Sequence, residues 1–580
     1  MNRTLEPTPP AHSPRRLALS HVDWFRWSVL LLALVILVVF IAYPLVNILG
    51  LSVAERGERF SVANLTFENF ARLWTSNLFR GAIVNSLTLT LWVVVLSTAI
   101  GVTYAYILTR IKLPLNHALM MTLGTIPLLM PPFVGAYSWV LLFGRSGTIT
   151  TVLEGTFGLT MPSIYGMTGM VLAITATMWP FVFLLAYGAL ALNDPSLEES
   201  ADVMGASPLR KLLTITVPLA TPAVLTGSLV VFMRAIGEFG TPAILGGNQY
   251  VIPTLIYFRI TGYGDFNMAS AMALVSVGFS VLSLLILTLY LRRRDYTTLT
   301  SRVQASKKLT SRLWGWIGAT VCIVIVTLSL LPHFTVVLGA FAERWRGTPL
   351  PTEFGLGNFF RVLERDQTAI TNSILLTLVA TIVATIVGTL LAYISVKRKS
   401  REKGSSGGLI IDLTVMLPFI LPGIVVGVAM AAAFSAGPLV ITGTGLILIV
   451  AYFVRRMPYN FRAGTSSMQA LDKSMEEAST VCGATWRQTS TRVTLPLIMP
   501  GVIAGAVLTF ISLIGELSAT IILFSGRWKT ISVSIYEYLI SHQTGPAFAL
   551  GTLLIFLVFL AVFLVNRFLG VAITTLFRGK

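Results

Sequence analysis

Apolar runs long enough to cross about 30 Å of hydrocarbon recur twelve times, near residues 27–51, 82–109, 117–144, 166–192, 222–246, 267–291, 314–341, 370–396, 409–436, 440–465, 498–524 and 547–570. A chain built this way must satisfy its backbone polar groups inside each run, so it predicts an all-α polytopic membrane protein. The composition agrees, since 55% hydrophobic against 11% charged residues leaves too little polar surface to cover a soluble protein. The first run follows Arg15, Arg16 and Arg26 and resembles a signal sequence, yet its length suits a retained span.

The formal charge of +18 would suggest nucleic acid in a soluble protein, but here it reads as topology. With the N-terminus in the cytoplasm, about 29 of the 42 Lys and Arg fall inside, among them Arg110, Lys112, Arg210, Lys211, the 292–312 stretch, Lys397–Lys403 and Arg455–Arg492. Both termini are then cytoplasmic. The outer segments 52–80, 247–266, 342–368 and 525–546 read as short loops without room for a domain.

The runs fall into two sets of six. Glu199-Ser-Ala-Asp-Val-Met-Gly205 with Ile215-Thr-Val-Pro218 is matched by Glu477-Ala-Ser-Thr-Val-Cys-Gly483 with Val493-Thr-Leu-Pro496, every landmark 278 positions later, as Gly483 is after Gly205. Asn85-Ser86 against Asn372-Ser373, and Ile236-Gly237-Glu238 against Ile514-Gly515-Glu516, extend the duplication. This divides the chain into a tail (1–26), a first module (27–291), a basic linker (292–313), a second module (314–570) and a tail (571–580). Six spans between the repeats place both polar islands on one side, with the modules related by an axis along the membrane normal.

Each island reads as a surface helix. Asp194-Pro195-Ser196 supplies a start signal, and Glu198, Glu199 and Asp202 favour the positive end of its dipole. Asp472, Glu476 and Glu477 repeat the pattern. Gly205 and Gly483 predict a sharp turn or close backbone approach, and Pro218 and Pro496 a break before the chain re-enters the bilayer. Pro127, Pro131 and Pro132, then Pro418, Pro422 and Gly423, interrupt the third spans, which makes those spans either pathway-lining or kinked packing helices.

Intramembrane charges are candidates for the pathway. Arg234 and Glu238 lie four apart and can pair on one helical face, whereas Ser512 stands where Glu516 would need its arginine. Two acidic groups near the pseudo-axis favour a cationic or hydrated metal substrate; the alternative is that these charges lock helices together. Asn85 and Asn372 serve the pathway or hydrogen-bond helices to each other. Trp92, Trp139 and Trp179 read as packing or interfacial residues, with aromatic caging of a cation as the alternative. Two cysteines and five scattered histidines give no metal site.

The two islands resemble the loop of the integral membrane subunits of type I ABC importers: Glu-Ala-Ala, three residues, Gly, nine residues, Ile-x-Leu-Pro. Glu199, Ala201, Gly205, Ile215 and Pro218 fit this pattern with Ser200 and Val217 substituted; Glu477, Ala478, Gly483, Val493 and Pro496 fit it with Ser479 and Val493 substituted. The resemblance implies that each island is a coupling helix docked on one of two separate ATP-hydrolysing subunits, with a substrate-binding protein on the other face, in the bacterial inner membrane. No Gly-x-x-x-x-Gly-Lys-Ser/Thr occurs, and Gly404–Gly408 lacks the lysine, so ATP and Mg belong to the partners. The fused layout, with Phe239–Leu245 and Glu516–Thr520, is most similar to ferric iron permeases, and thiamine, aminophosphonate and polyamine permeases are the alternatives. An ion-gradient carrier with twelve spans is the competing class. A membrane enzyme would need convergent catalytic groups, and none is visible.

Overall fold

The computed structural model describes residues 24–192, 195–292, 311–345, 350–401, 411 and 415–569. The expected start signal Asp194, most of the linker, both tails and Gly404–Gly408 lie outside them. Among the described residues nine straight helices are long and apolar enough to cross a membrane: Trp27–Ser52, Asn77–Arg110, Met167–Ala191, Leu212–Ile236, Phe266–Leu291, Arg312–Ala340, Gln367–Val396, Trp486–Ile514 and Thr544–Val565. A pair bent by 97°, His117–Leu129 with Pro132–Phe157, takes the third position. Its counterpart is the shorter helix Gly423–Phe434, and Gly445–Gln469 takes the tenth position. That helix is less apolar because it carries Arg455, Arg456 and Arg462.

Three expectations need correction. Pro218 and Pro496 do not break the chain. A π turn, Leu212–Thr216 or Ser490–Thr494, precedes each proline, with Val217 N–H donating to the Leu212 carbonyl and Leu495 N–H to that of Ser490. The widened turn accommodates the ring that would otherwise clash with a carbonyl one turn back, so the helix enters the bilayer unbroken. The fifth spans therefore start earlier than expected and stop at Ile236 and Ile514, where Gly237 and Gly515 end them. The outer segments 247–266 and 525–546 are not plain loops, for they fold into apolar helices Ile252–Tyr263 and Ile531–Ile540 whose first turns are buried.

Matched polar clamps hold these short helices. Asn85 Nδ2 donates to the Tyr250 carbonyl at 3.0 Å, and Asn372 Nδ2 to those of Arg527 and Lys529 at 2.9 and 3.0 Å. Ser86 Oγ accepts from Ile252 N–H and Ser373 Oγ from Ile531 N–H, both at 2.7 Å. Asn69 and Asn358 likewise donate to backbone carbonyls that end the first span of their own module.

The first span of each module packs against the other module as well as against its own sixth span. Val29, Ala33, Ile36 and Ile41 share a core with Leu376, Ala380 and Phe434 of the second module, and the Tyr43 ring lies 5.9 Å from that of Phe434. Reciprocally, Cys322, Val326 and Leu330 pack with Tyr104 and Phe183, and Trp179 Nε1 donates to Ser329 Oγ at 2.8 Å. Trp179 and Trp139 are buried, while Trp92 is exposed on the outer surface of the bundle.

Candidate coupling handles and translocation cavity

The handle helices are Pro195–Val203 and Lys473–Val481. Each ends in the same two bonds: Gly205 N–H to Asp202 O and Ala206 N–H to Ala201 O, then Gly483 N–H to Thr480 O and Ala484 N–H to Ser479 O. This is the Schellman arrangement, which needs a left-handed residue after the helix. The glycines supply it at φ 74° and 82°, and a Cβ at either would meet nothing within 4 Å. Conformation, not crowding within the chain, therefore dictates glycine here. Just before each lies an apolar tip: Val203 and Met204 are 91% and 86% exposed, and Val481 is 88% exposed. Glu199, Glu477 and Ala478 are also exposed, Ala201 is half-buried, and Ile215 and Val493 are half-buried at the base. The tips escaped the sequence reading although apolar residues inside a polar island were their signal.

A carboxylate ties each handle to the span that follows. Glu198 Oε1 accepts from Thr216 Oγ1 at 3.0 Å and from Arg110 Nη2 at 2.8 Å; Glu476 Oε1 accepts from Thr494 Oγ1 at 2.8 Å. Both threonines belong to the π turns. From Thr216 and Thr494 the helices Leu212–Ile236 and Trp486–Ile514 run on for about 30 Å at 1.5 Å per residue to the glycine breaks.

At those breaks the modules meet. A Cβ on Gly237 would collide with Pro422, and one on Gly515 with Pro131, so each break nests against the interrupted third span of the other module. Around them is a cavity of about 270 Å³ lined by Pro127, Pro131, Pro418 and Pro422 and by charged groups of both modules. Beyond it, away from the handles, Phe239, Tyr257 and Tyr536 form an aromatic plug with ring centroids 5.0–6.1 Å apart.

The charges depart from expectation. Helix ends at Gly237, so Glu238 leaves the Arg234 face and no Arg234–Glu238 pair forms; Glu238 Oε1 instead accepts from Thr241 N–H at 3.3 Å. Arg234 Nη2 donates to Tyr459 Oη at 2.7 Å and its guanidinium lies 4.3 Å from the Phe181 ring centre. Glu516 does have partners: it pairs with Arg455 and, at 3.0 Å, with Arg456. Both arginines fall within the 440–465 run, and their place on the cavity wall corrects the cytoplasmic position that the charge count assigns them. Of the lining residues Arg234, Arg455 and Arg456 oppose only Glu238 and Glu516, three positive against two negative, so the wall is not acidic as the two glutamates alone suggested. Asn85 and Asn372 are not part of its wall.

A family profile described as "Binding-protein-dependent transport system inner membrane component" matches residues 101–296 and 400–570, one copy in each module. The chain belongs to that family. The permease is 28% identical over 545 residues to a ferric transport system permease protein of Actinobacillus pleuropneumoniae, covering 93% of this chain and 78% of the relative. It is 30% identical over 517 residues to a putative ferric transport system permease protein of Haemophilus influenzae, covering 88% and 80%. The molybdenum transport system permease protein of Escherichia coli, 31% identical, aligns over 90% of its own length with only 35% of the permease. A subunit of about one module therefore exists as a whole protein, and the permease is the fused two-module form of an ABC importer's membrane pathway.

Proposed function

We propose that the permease carries ferric iron across the inner membrane, receiving it from an extracytoplasmic binding protein and drawing force from two separate ATP-hydrolysing subunits seated on the handles. The observation that carries the iron reading is similarity to two ferric transport permeases along 93% and 88% of the chain. The coupling reading rests on the twin glycine turns with their exposed apolar tips. ATP and Mg stay with the partners, and both termini lie with the handles on the cytoplasmic side, where the basic residues gather.

Closure of the ATPases draws the handles together. Glu198 and Glu476 pass that displacement to the fifth spans, whose glycine-ended tips form the cavity wall, and the aromatic plug parts toward the binding protein. Hydrolysis returns the cavity to the handle side.

Uptake of radiolabelled ferric iron by vesicles holding the permease, its ATPase and its binding protein tests this. ATP-dependent uptake that survives a protonophore is expected. Uptake that needs a proton gradient and proceeds without the ATPase would make the permease a secondary carrier.

A further inference from the structure

We infer that the cavity is an oxyanion site, so that the transported species presents phosphate- or carboxylate-type oxygens to Arg455, Arg456 and Arg234 instead of a bare metal cation. This rests on the proposed role of the cavity as the import pathway and names the class of cargo it takes.

The two walls can be compared position by position through the 278-residue repeat. Arg455, Arg456 and Tyr459 of the second module correspond to Thr177, Met178 and Phe181 of the first, and Ser512 corresponds to Arg234; all eight line the cavity. Divergence has thus placed three guanidinium groups around two glutamates that recur in both halves. One glutamate, Glu516, is quenched by two arginines at once. The other, Glu238, has no cation within ion-pair distance among the described residues and is held by the Thr241 N–H.

One positive charge therefore remains in excess within a wall shielded from water. Arg456 is only 9% exposed, so its charge is held largely out of water. A guanidinium charge held out of water in excess of its counter-charges is costly, and an anion entering the cavity offsets that cost. The fork of arginine donors fits paired oxygens of a carboxylate or phosphate. A hydrated trivalent cation would meet net repulsion, strengthened by the low local dielectric. Iron could pass here wrapped in oxyanion ligands; a cargo that itself bears phosphate or carboxylate would use the same groups.

The test uses the full chain in lipid nanodiscs. Binding of inorganic phosphate and of citrate is measured by calorimetry and by the shift in thermal midpoint, with chloride at equal ionic strength and hexaamminecobalt(III) as controls. Saturable binding of phosphate or citrate is expected, weakened at least tenfold in Arg456→Gln and less in Arg456→Lys. Glu516→Gln, which removes the competing carboxylate, is expected to bind about tenfold more tightly and to be restored in thermal midpoint by the oxyanion, a gain that misfolding cannot imitate. Absence of saturable oxyanion binding, indifference to both substitutions, or preference for the cobalt complex overturns the inference. Iron uptake measured in parallel separates the two readings: uptake with no oxyanion site removes this inference alone, and an oxyanion site without iron uptake removes iron as cargo alone.

Discussion

Gly205 and Gly483 are the residues at which the sequence constrains function most sharply. An L side chain at their positive φ costs about 1–2 kcal/mol, and the open space around them means that any further penalty comes from whatever docks there. Gly205→Asp with Gly483→Asp is expected to leave the chain in the membrane at normal levels while transport falls at least tenfold; quantitative blotting beside an uptake assay checks both halves of that statement. Cys482 is exposed next to Gly483 whereas Cys322 is buried, so a maleimide should label Cys482 alone, and ATPase added first should protect it. Equal labelling with and without the ATPase would remove the second handle from the interface. Asp472 caps its handle by accepting from Ser474 N–H at 3.0 Å, and this bond holds its carboxyl below the ordinary aspartate range. The folded value being depressed, the cap contributes above the unfolded value and is lost as pH falls through the folded one. Hydrogen exchange over 473–481 should therefore be flat from neutral to mildly acid pH and rise only below the aspartate range.

At the scale of elements, the proposed coupling runs between distinct helices. The handle and the fifth span are separate helices joined through Glu198–Thr216 and Glu476–Thr494, and hydrogen bonds to a charged group contribute about 1.5–3 kcal/mol each. Glu198→Gln with Glu476→Gln should lower uptake several-fold while ATP hydrolysis by the bound partner continues, a split that steady-state assays of both activities resolve; equal losses of both would place these acids in docking instead. Much of this layer was legible beforehand because the signals were local. A glycine after a short acidic helix, repeated at one offset, specifies a turn wherever it occurs. The helices Ile252–Tyr263 and Ile531–Ile540 were not legible, since their apolar runs are too short to span and their stability comes from Asn85, Ser86, Asn372 and Ser373, far away in sequence. The partners of Glu516 were hidden for the same reason: Arg455 and Arg456 arrive from a different span, far away in sequence.

At the scale of the molecule, each first span bridges its own module and the other, so separation bares an apolar face on both. The Arg312–Ala340 helix buries Cys322, Val326 and Leu330 against Tyr104 and Trp179 of the first module, and the Trp27–Ser52 helix packs on the second. Residues 1–300 and 301–580 made as separate chains should copurify and support uptake together, while either alone should be degraded or aggregate. Independent stability of one half would contradict the bridging role of the first spans. A wall assembled from two identical subunits must repeat every mutation on both sides, so an arginine recruited to quench one glutamate would quench its twin as well. Covalent fusion lifts that obligation. Evolution could then set two guanidinium groups on one flank of the corridor opposite threonine and methionine, and a third on the other flank opposite serine, giving the passenger a handed, lopsided track whose two sides can be tuned separately.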